Sequence, residues 1–160
     1  MYVLDKPGAA QSQIRIGWIG VPRSTPDYFA LRVLNTILGG SFTSRLNQNL
    51  REAHGYAYGA SSVFEMRRAA GPFYATAGVQ TDKTAEALTE FFKELDGIRK
   101  PIPPDEVEKA KNYVALLMTA GASEWLETGR GPRGADASAF NLRSSSSLFA
   151  MKVFQSMKSV

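Results

Sequence analysis

Residues 56–79 read YAYGASSVFEMRRAAGPFYATAGV, and this stretch decides the fold class. Tyr56, Tyr58, Ala60, Ser62, Phe64 and Met66 fall at every second position, as do Phe73, Ala75, Ala77 and Val79. A period of two puts each set on one face of a strand. Between them, Arg67 to Gly71 has the charged and small residues of a hairpin connection. The spacing predicts two adjacent strands, each turning one face to a core.

Upstream, Gln13 to Ile19 alternates in the same way, with Ile14, Ile16 and Trp18 on one face. Two helical patterns lie between this strand and the hairpin. Thr25 is the expected cap of the first, Pro26 suits its first position and Asp27 favours its positive end. Phe29, Val33, Leu34, Ile37 and Leu38 form its apolar stripe, and Gly39-Gly40 ends it. The second runs from about residue 43 to 53 with Leu46 and Leu50 inward, and ends before Gly55. Downstream, Thr81 or Asp82 is expected to cap a helix whose core residues are Leu88, Phe91, Phe92, Leu95 and Ile98. Pro101 to Pro104 separates it from a last helix with Asp105 and Glu106 in the first turn and a stripe of Val107, Ala110, Val114 and Leu117. The order β-α-α-β-β-α-α implies an α+β fold: an antiparallel-rich sheet with helices packed on one face.

With 160 residues, 44% of them apolar, the chain can enclose one real core, as a single domain does. No apolar run approaches the roughly 20 residues that span a bilayer. Asp5 and Lys6 come too early, and no apolar region follows them, for a signal peptide to be expected on this chain. The absence of cysteine removes disulfides, thiolate metal ligands and thiol nucleophiles together. The net charge of +4 resides in the tail, where Arg130, Arg133, Arg143, Lys152 and Lys158 face one acid, Asp136. A phosphate-binding face would put that excess in the folded body, so nucleic-acid binding is not expected.

The tail also divides the chain. Residues 1–119 carry the periodic elements, whereas residues 120–147 are poor in large apolar side chains and hold GRGPRG and a run of four serines. Such a segment buries too little to offset its ordering entropy, so it is expected as loop or disorder. Residues 148–160 can form a short helix with Leu148, Met151 and Phe154 inward.

Catalytic groups are few. His54 is the single histidine, so neither a two-histidine metal motif nor a cluster can be built. It sits beside Gly55 at a helix end, where a solvated C-terminal position explains it better than a triad does. The glycines give neither a P-loop nor a dinucleotide fingerprint. Asp105, Glu106 and Glu108 read as a helix start rather than a catalytic pair. From pattern alone, the chain is an α+β domain without a catalytic constellation.

One run says more. Gly39-Gly40, Ser44-Arg45-Leu46, Leu50-Arg51-Glu52, Gly55 and Ala57-Tyr58 stand in the order of a motif series from the second homologous domain of insulinase/pitrilysin-type zinc metallopeptidases. The series most resembles their bacterial, processing-peptidase-like branch. DKPGAAQSQIRIG and VQTDKTAEAL are similar to other parts of that domain, and the match extends over roughly residues 1–118. The resemblance implies an αβ sandwich of the metallopeptidase/LuxS-like kind and a chain inactive by itself. It implies a zinc-bearing homologous domain or subunit as partner, a peptide as substrate and no cofactor on this chain. Zinc is expected on the partner, since the inverted H-x-x-E-H motif is absent here.

In that family the second domain presents an Arg and a Tyr, seven positions apart, to the substrate; Arg51 and Tyr58 match in identity and spacing. The alternative is that Arg51 is a solvated helix residue and Tyr58 a strand residue packed on the core. Arg45 is expected to be structural. A wider alternative is a structural domain that self-associates as a homo-oligomer, without a peptidase role. Secreted relatives make a periplasm compatible with the resemblance, but nothing in the chain fixes its compartment. After about Leu117 the likeness fades to islands at Leu126-Glu127-Thr128 and Phe140-Asn141-Leu142. A local shift of reading frame is one hypothesis for the Arg- and Gly-rich stretch between them, to be tested on alternative frames of the coding DNA.

Overall fold

A computed structural model describes residues 2–128, with side chains described through residue 118. Strand β1 (Gln11–Ile19) leads to helix α1 (Tyr28–Asn35), which widens into a π-helical turn over Thr36–Gly40. Helix α2 (Arg45–Asn47) likewise continues as a π-helical segment, Gln48–Ala53. Strands β2 (Ala57–Phe64) and β3 (Pro72–Gln80) form the hairpin. A 3-10 turn, Thr81–Lys83, then enters α3 (Thr84–Gly97), and α4 (Pro104–Thr128) follows. The expected order β-α-α-β-β-α-α is the observed one.

Among the described residues, three strands pair antiparallel in the order β1-β3-β2. Central β3 turns Phe73, Ala75, Ala77 and Val79 into the core, as its alternation predicts. Ile14 opposes Ala77 and Trp18 opposes Phe73 across β1. The helices lie over this face, burying Leu31, Leu34, Ile37 and Leu38 of α1 and its extension, Leu46 and Leu50 of α2, and Phe91 and Leu95 of α3. At about 1.5–3 kcal/mol for each large apolar side chain withdrawn from water, this layer supplies the fold's main drive.

Two glycines fit helix ends to the sheet. Gly39 lies so close to β2 that a Cβ there would sit 2.5 Å from the Ser62 amide nitrogen. Gly55 has φ +64°, a conformation without steric cost only for glycine. It ends the Gln48–Ala53 segment, and the N–H groups of Gly55 and Tyr56 then bond the carbonyls of Arg51 and Leu50. The chain reverses there and enters β2.

Several sequence expectations need correction. Thr25 closes a turn by accepting the Asp27 N–H at 3.4 Å, and the helix starts only at Tyr28. Neither Thr81 nor Asp82 caps α3, because the 3-10 turn occupies the entry and Lys83 is the capping position. Phe92 is 52% exposed rather than core. Its neighbour Phe91 takes the inward position on the Ala87–Phe91–Leu95 stripe, and a residue 100° further round the helix must turn away. Leu117 is exposed, since α4 packs on α1 and Thr36–Gly40 and, among its described side chains, buries only Ala110 and Val114 fully.

Helix α4 also continues through residues 120–128, where the sequence reading expects a loop; Ala120, Ala122, Glu124 and Leu126 are good helix formers. The rest of that segment and the expected helix at 148–160 lie outside the described residues. Among the described residues, no helix is long and apolar enough to cross a membrane.

The most consequential correction concerns β2. Ala57 pairs with Val79 and Ala60 with Ala77, so Tyr58 and Gly59 together oppose the single Gly78. This is a β-bulge, and the extra residue breaks the alternation. Ala57 and Ala60 are both buried, and Tyr58 turns out of the face it was expected to share with Ala60 and Ser62.

Candidate functional site

Tyr58 leaves the bulge 85% exposed, which rules out a core-packing role. Arg51 comes from the π-helical segment before Gly55, and the reversal at that glycine brings the two residues to the same place. The Arg51 guanidinium carbon lies 5.4 Å from the centroid of the Tyr58 ring. It lies closer still, 4.3 Å, to the ring of Phe42, in the loop between the two helices. The Arg51 side chain is 30% exposed, and its Nε stands 3.3 Å from Glu52 Oε1. A guanidinium packed against ring faces makes those contacts through its plane and leaves the N–H donors at its edge for other partners.

Asn47, buried within α2, ties this site together. Its Oδ1 accepts the N–H of Ala60 at 2.9 Å, the amide that follows the bulge. Its Nδ2 donates to the Ser41 carbonyl at 3.1 Å and to Ser44 Oγ at 3.2 Å. One side chain thus joins the loop that carries Phe42, the helix that leads to Arg51 and the strand that presents Tyr58. On the other side of Gly39, Ser62 Oγ donates to Asn35 Oδ1 at 2.8 Å and locks α1 to β2.

The remaining polar candidates have structural surroundings. His54 stacks on Tyr56, with ring centroids 4.9 Å apart, and its Nε2 stands 3.8 Å from Glu90 Oε2. Lys93 and the Asn49 amide hold the Glu90 carboxyl below the usual carboxylate range. Tyr56 is half-buried against the core. Arg67 pairs with Glu65 near the hairpin tip. An open groove lined by Arg15, Glu65, Arg67 and Tyr74 lies at that hairpin end of the sheet, opposite the Arg51–Tyr58 end.

Arg45 forms a two-pronged bond to Glu106 of α4, Nε to Oε1 at 2.8 Å and Nη2 to Oε2 at 2.6 Å. This bond raises the guanidinium pKa above its ordinary value, and the structural role expected for Arg45 holds. Arg45→Ala should lower the unfolding free energy by about 1–2 kcal/mol, since both prongs are mostly shielded from water. Arg45→Lys should recover less than half of this, because an ammonium cannot fork. Urea midpoints measure both; full recovery by lysine would show that a point charge suffices.

The resemblance singles out Arg51 and Tyr58; neither it nor the periodicity points to Phe42 and Asn47, which the structure brings to the same place. Phe42 falls between helical stripes, an aromatic among Ser41, Thr43 and Ser44, and that isolation was its only signal. Asn47 is a polar residue next to Leu46 on an inward face, where a buried amide implies specific partners. For metal chemistry, the whole sequence offers one imidazole and no thiol. Among the described residues no group of three or more His, Cys, Asp or Glu comes together. This donor set does not fit a two-histidine zinc centre.

Residues 1–114 match the family model described as the peptidase M16 inactive domain. The chain is 33% identical over 101 residues to an uncharacterized zinc protease of Streptomyces coelicolor, covering 62% of this chain and 22% of that protein. It is 28% identical over 130 residues to the uncharacterized zinc protease YmxG of Bacillus subtilis, covering 78% of this chain and 32% of that protein. The chain therefore spans a third or less of the length of these relatives. The crystal structure of a peptidase M16 inactive domain from Pseudomonas fluorescens superposes with a TM-score of 0.68 at 27% identity, over 95% of this chain and 36% of that one. The α+β fold agrees with that of the solved inactive domain, and the chain belongs to the family of peptidase M16 inactive domains.

Proposed function

We propose that this domain supplies Arg51 and Tyr58 to a peptide held against a homologous domain or subunit that carries the zinc. The observation that carries the reading is the bulge: it lifts Tyr58 out of the core face and sets it beside the Arg51 guanidinium. When bound on the partner, zinc supplies an activated water and Lewis acidity. The Tyr58 hydroxyl can donate to the oxyanion that develops at the attacked carbonyl, or to the substrate backbone. The Arg51 fork can hold neighbouring carbonyl oxygens. Both contacts strengthen once a closed chamber excludes water.

Reconstitution tests this. The chain alone should show no turnover of a quenched fluorescent peptide, and mixing it with a zinc-bearing half should produce activity that a chelator removes. Arg51→Ala in that mixture should lower kcat/KM by about ten- to a hundredfold, the scale of losing one oriented donor, without a change in thermal unfolding.

A second reading, a self-associating domain without a peptidase role, draws on the exposed Leu116, Leu117 and Met118 of α4 and on β1 and β2, the edge strands of the sheet among the described residues. A stable homo-oligomer in sedimentation, with Arg51→Ala and Tyr58→Phe both silent in the mixture, would favour it over the first.

A further inference from the structure

We infer that Phe42 is a positioning residue for Arg51, holding the guanidinium at the angle from which its edge donors reach a peptide. This rests on the substrate role proposed for Arg51. Phe42 is 64% exposed, an unusual place for a large apolar ring, and core packing does not account for it. Its ring is the nearer of the two under Arg51, at 4.3 Å against 5.4 Å for Tyr58.

An arginine at the end of a short helical segment otherwise has many rotamers, and ordering it on binding costs entropy. A ring face restricts those rotamers in advance and leaves the N–H edge unblocked. A carboxylate alone would do the reverse, drawing the donors to itself; the Glu52 carboxylate stands 3.3 Å from Nε, beyond a close charge-assisted hydrogen bond. The Phe42 loop is itself fixed, since Asn47 holds the Ser41 carbonyl and Ser44 Oγ on either side of it. Ring, cation and phenol therefore come from three segments joined through one buried amide.

The test uses the chain mixed with the zinc-bearing half and a quenched fluorescent peptide, together with NMR of the full chain. Phe42→Leu keeps apolar bulk but removes the ring face, and should lower kcat/KM roughly two- to fivefold, the size of an exposed cation–π contact. Phe42→Trp should restore the wild-type rate. In an Arg51→Ala background, Phe42→Leu should have no further effect. The Arg51 Hδ and Hε resonances should lose part of their ring-current displacement in Phe42→Leu and keep it in Phe42→Trp. Thermal unfolding should not move, because the ring is mostly in water.

An equal loss from Phe42→Leu in the Arg51→Ala background would overturn the inference, since Phe42 would then touch the peptide itself. Unmoved Arg51 resonances in Phe42→Leu would overturn it as well. If Arg51→Ala leaves the rate unchanged, the substrate role of Arg51 fails, while the resonances still report whether Phe42 holds the guanidinium.

Discussion

Gly39→Ala is expected to lower the unfolding free energy by about 3 kcal/mol or more, a large share of a small domain's stability. A Cβ at this position would lie 2.5 Å from the Ser62 amide nitrogen, 2.6 Å from Ser62 Oγ and 2.9 Å from the Ser61 carbonyl carbon. Two of these three are backbone atoms of β2, which cannot swing aside as the end of a side chain does. Relief requires the Thr36–Gly40 turn to draw back from the sheet. Ile37 and Leu38 would then lose part of their packing, and the 2.8 Å bond from Ser62 to Asn35 would lengthen.

Gly59→Ala is the natural control, because it lies on the same strand and its Cβ would meet only Asn47 Oδ1, at an ordinary 3.7 Å. Chemical denaturation of both variants decides the matter. If Gly39→Ala costs no more than Gly59→Ala, the contact between turn and strand is looser than the structure has it.

That contact was only half legible in the sequence. Gly39-Gly40 reads plainly as a helix stop. Nothing local says that the first of the pair must be bare because a strand passes over it. The layered fold was readable because burial repeats along the chain: Ile14 on β1, Phe73 to Val79 on β3, and Leu46 with Leu50 on α2 all follow their periods. Phe92 misled because adjacent aromatics look alike to a hydrophobicity pattern, although the helix can turn only one of them inward.

Arg51 and Tyr58 came from likeness to a motif series, and their seven-residue spacing does not by itself say that they meet. The meeting depends on Gly55 in its left-handed conformation and on the extra residue in β2. Alternation carried across residues 56–66 put Tyr58 on the core face. A bulge leaves no mark in the period before it occurs, and its acceptor, Asn47, comes from another element.

Asn47→Ala is the change expected to couple fold and site most strongly. It would leave the Ala60 N–H and Ser44 Oγ without the Asn47 partner each has now, while the Ser41 carbonyl keeps the Ser44 N–H at 3.2 Å. A buried polar group so orphaned costs about 1–3 kcal/mol, and water reaching one of the two would spare part of the sum, giving a loss of about 2–4 kcal/mol. The site should suffer beyond this. The bulge is an extra residue, and Asn47 Oδ1 is the acceptor for the N–H that follows it. Without that acceptor, the strand gains by sliding Tyr58 back toward regular alternation.

Asn47→Asp separates the two effects. A carboxylate still accepts from Ala60, but it has no N–H for Ser41 and sets a negative charge against that carbonyl. Both variants should therefore unfold earlier, whereas the Ala60 amide should exchange with deuterium much faster only in Asn47→Ala. Activity in the reconstituted mixture, measured well below either unfolding transition, should follow the Ala60 exchange rate rather than the stability. Equal exchange at Ala60 in the alanine variant and the wild type would mean that the bulge persists without Asn47, and Tyr58 would then owe its exposure to the strand alone.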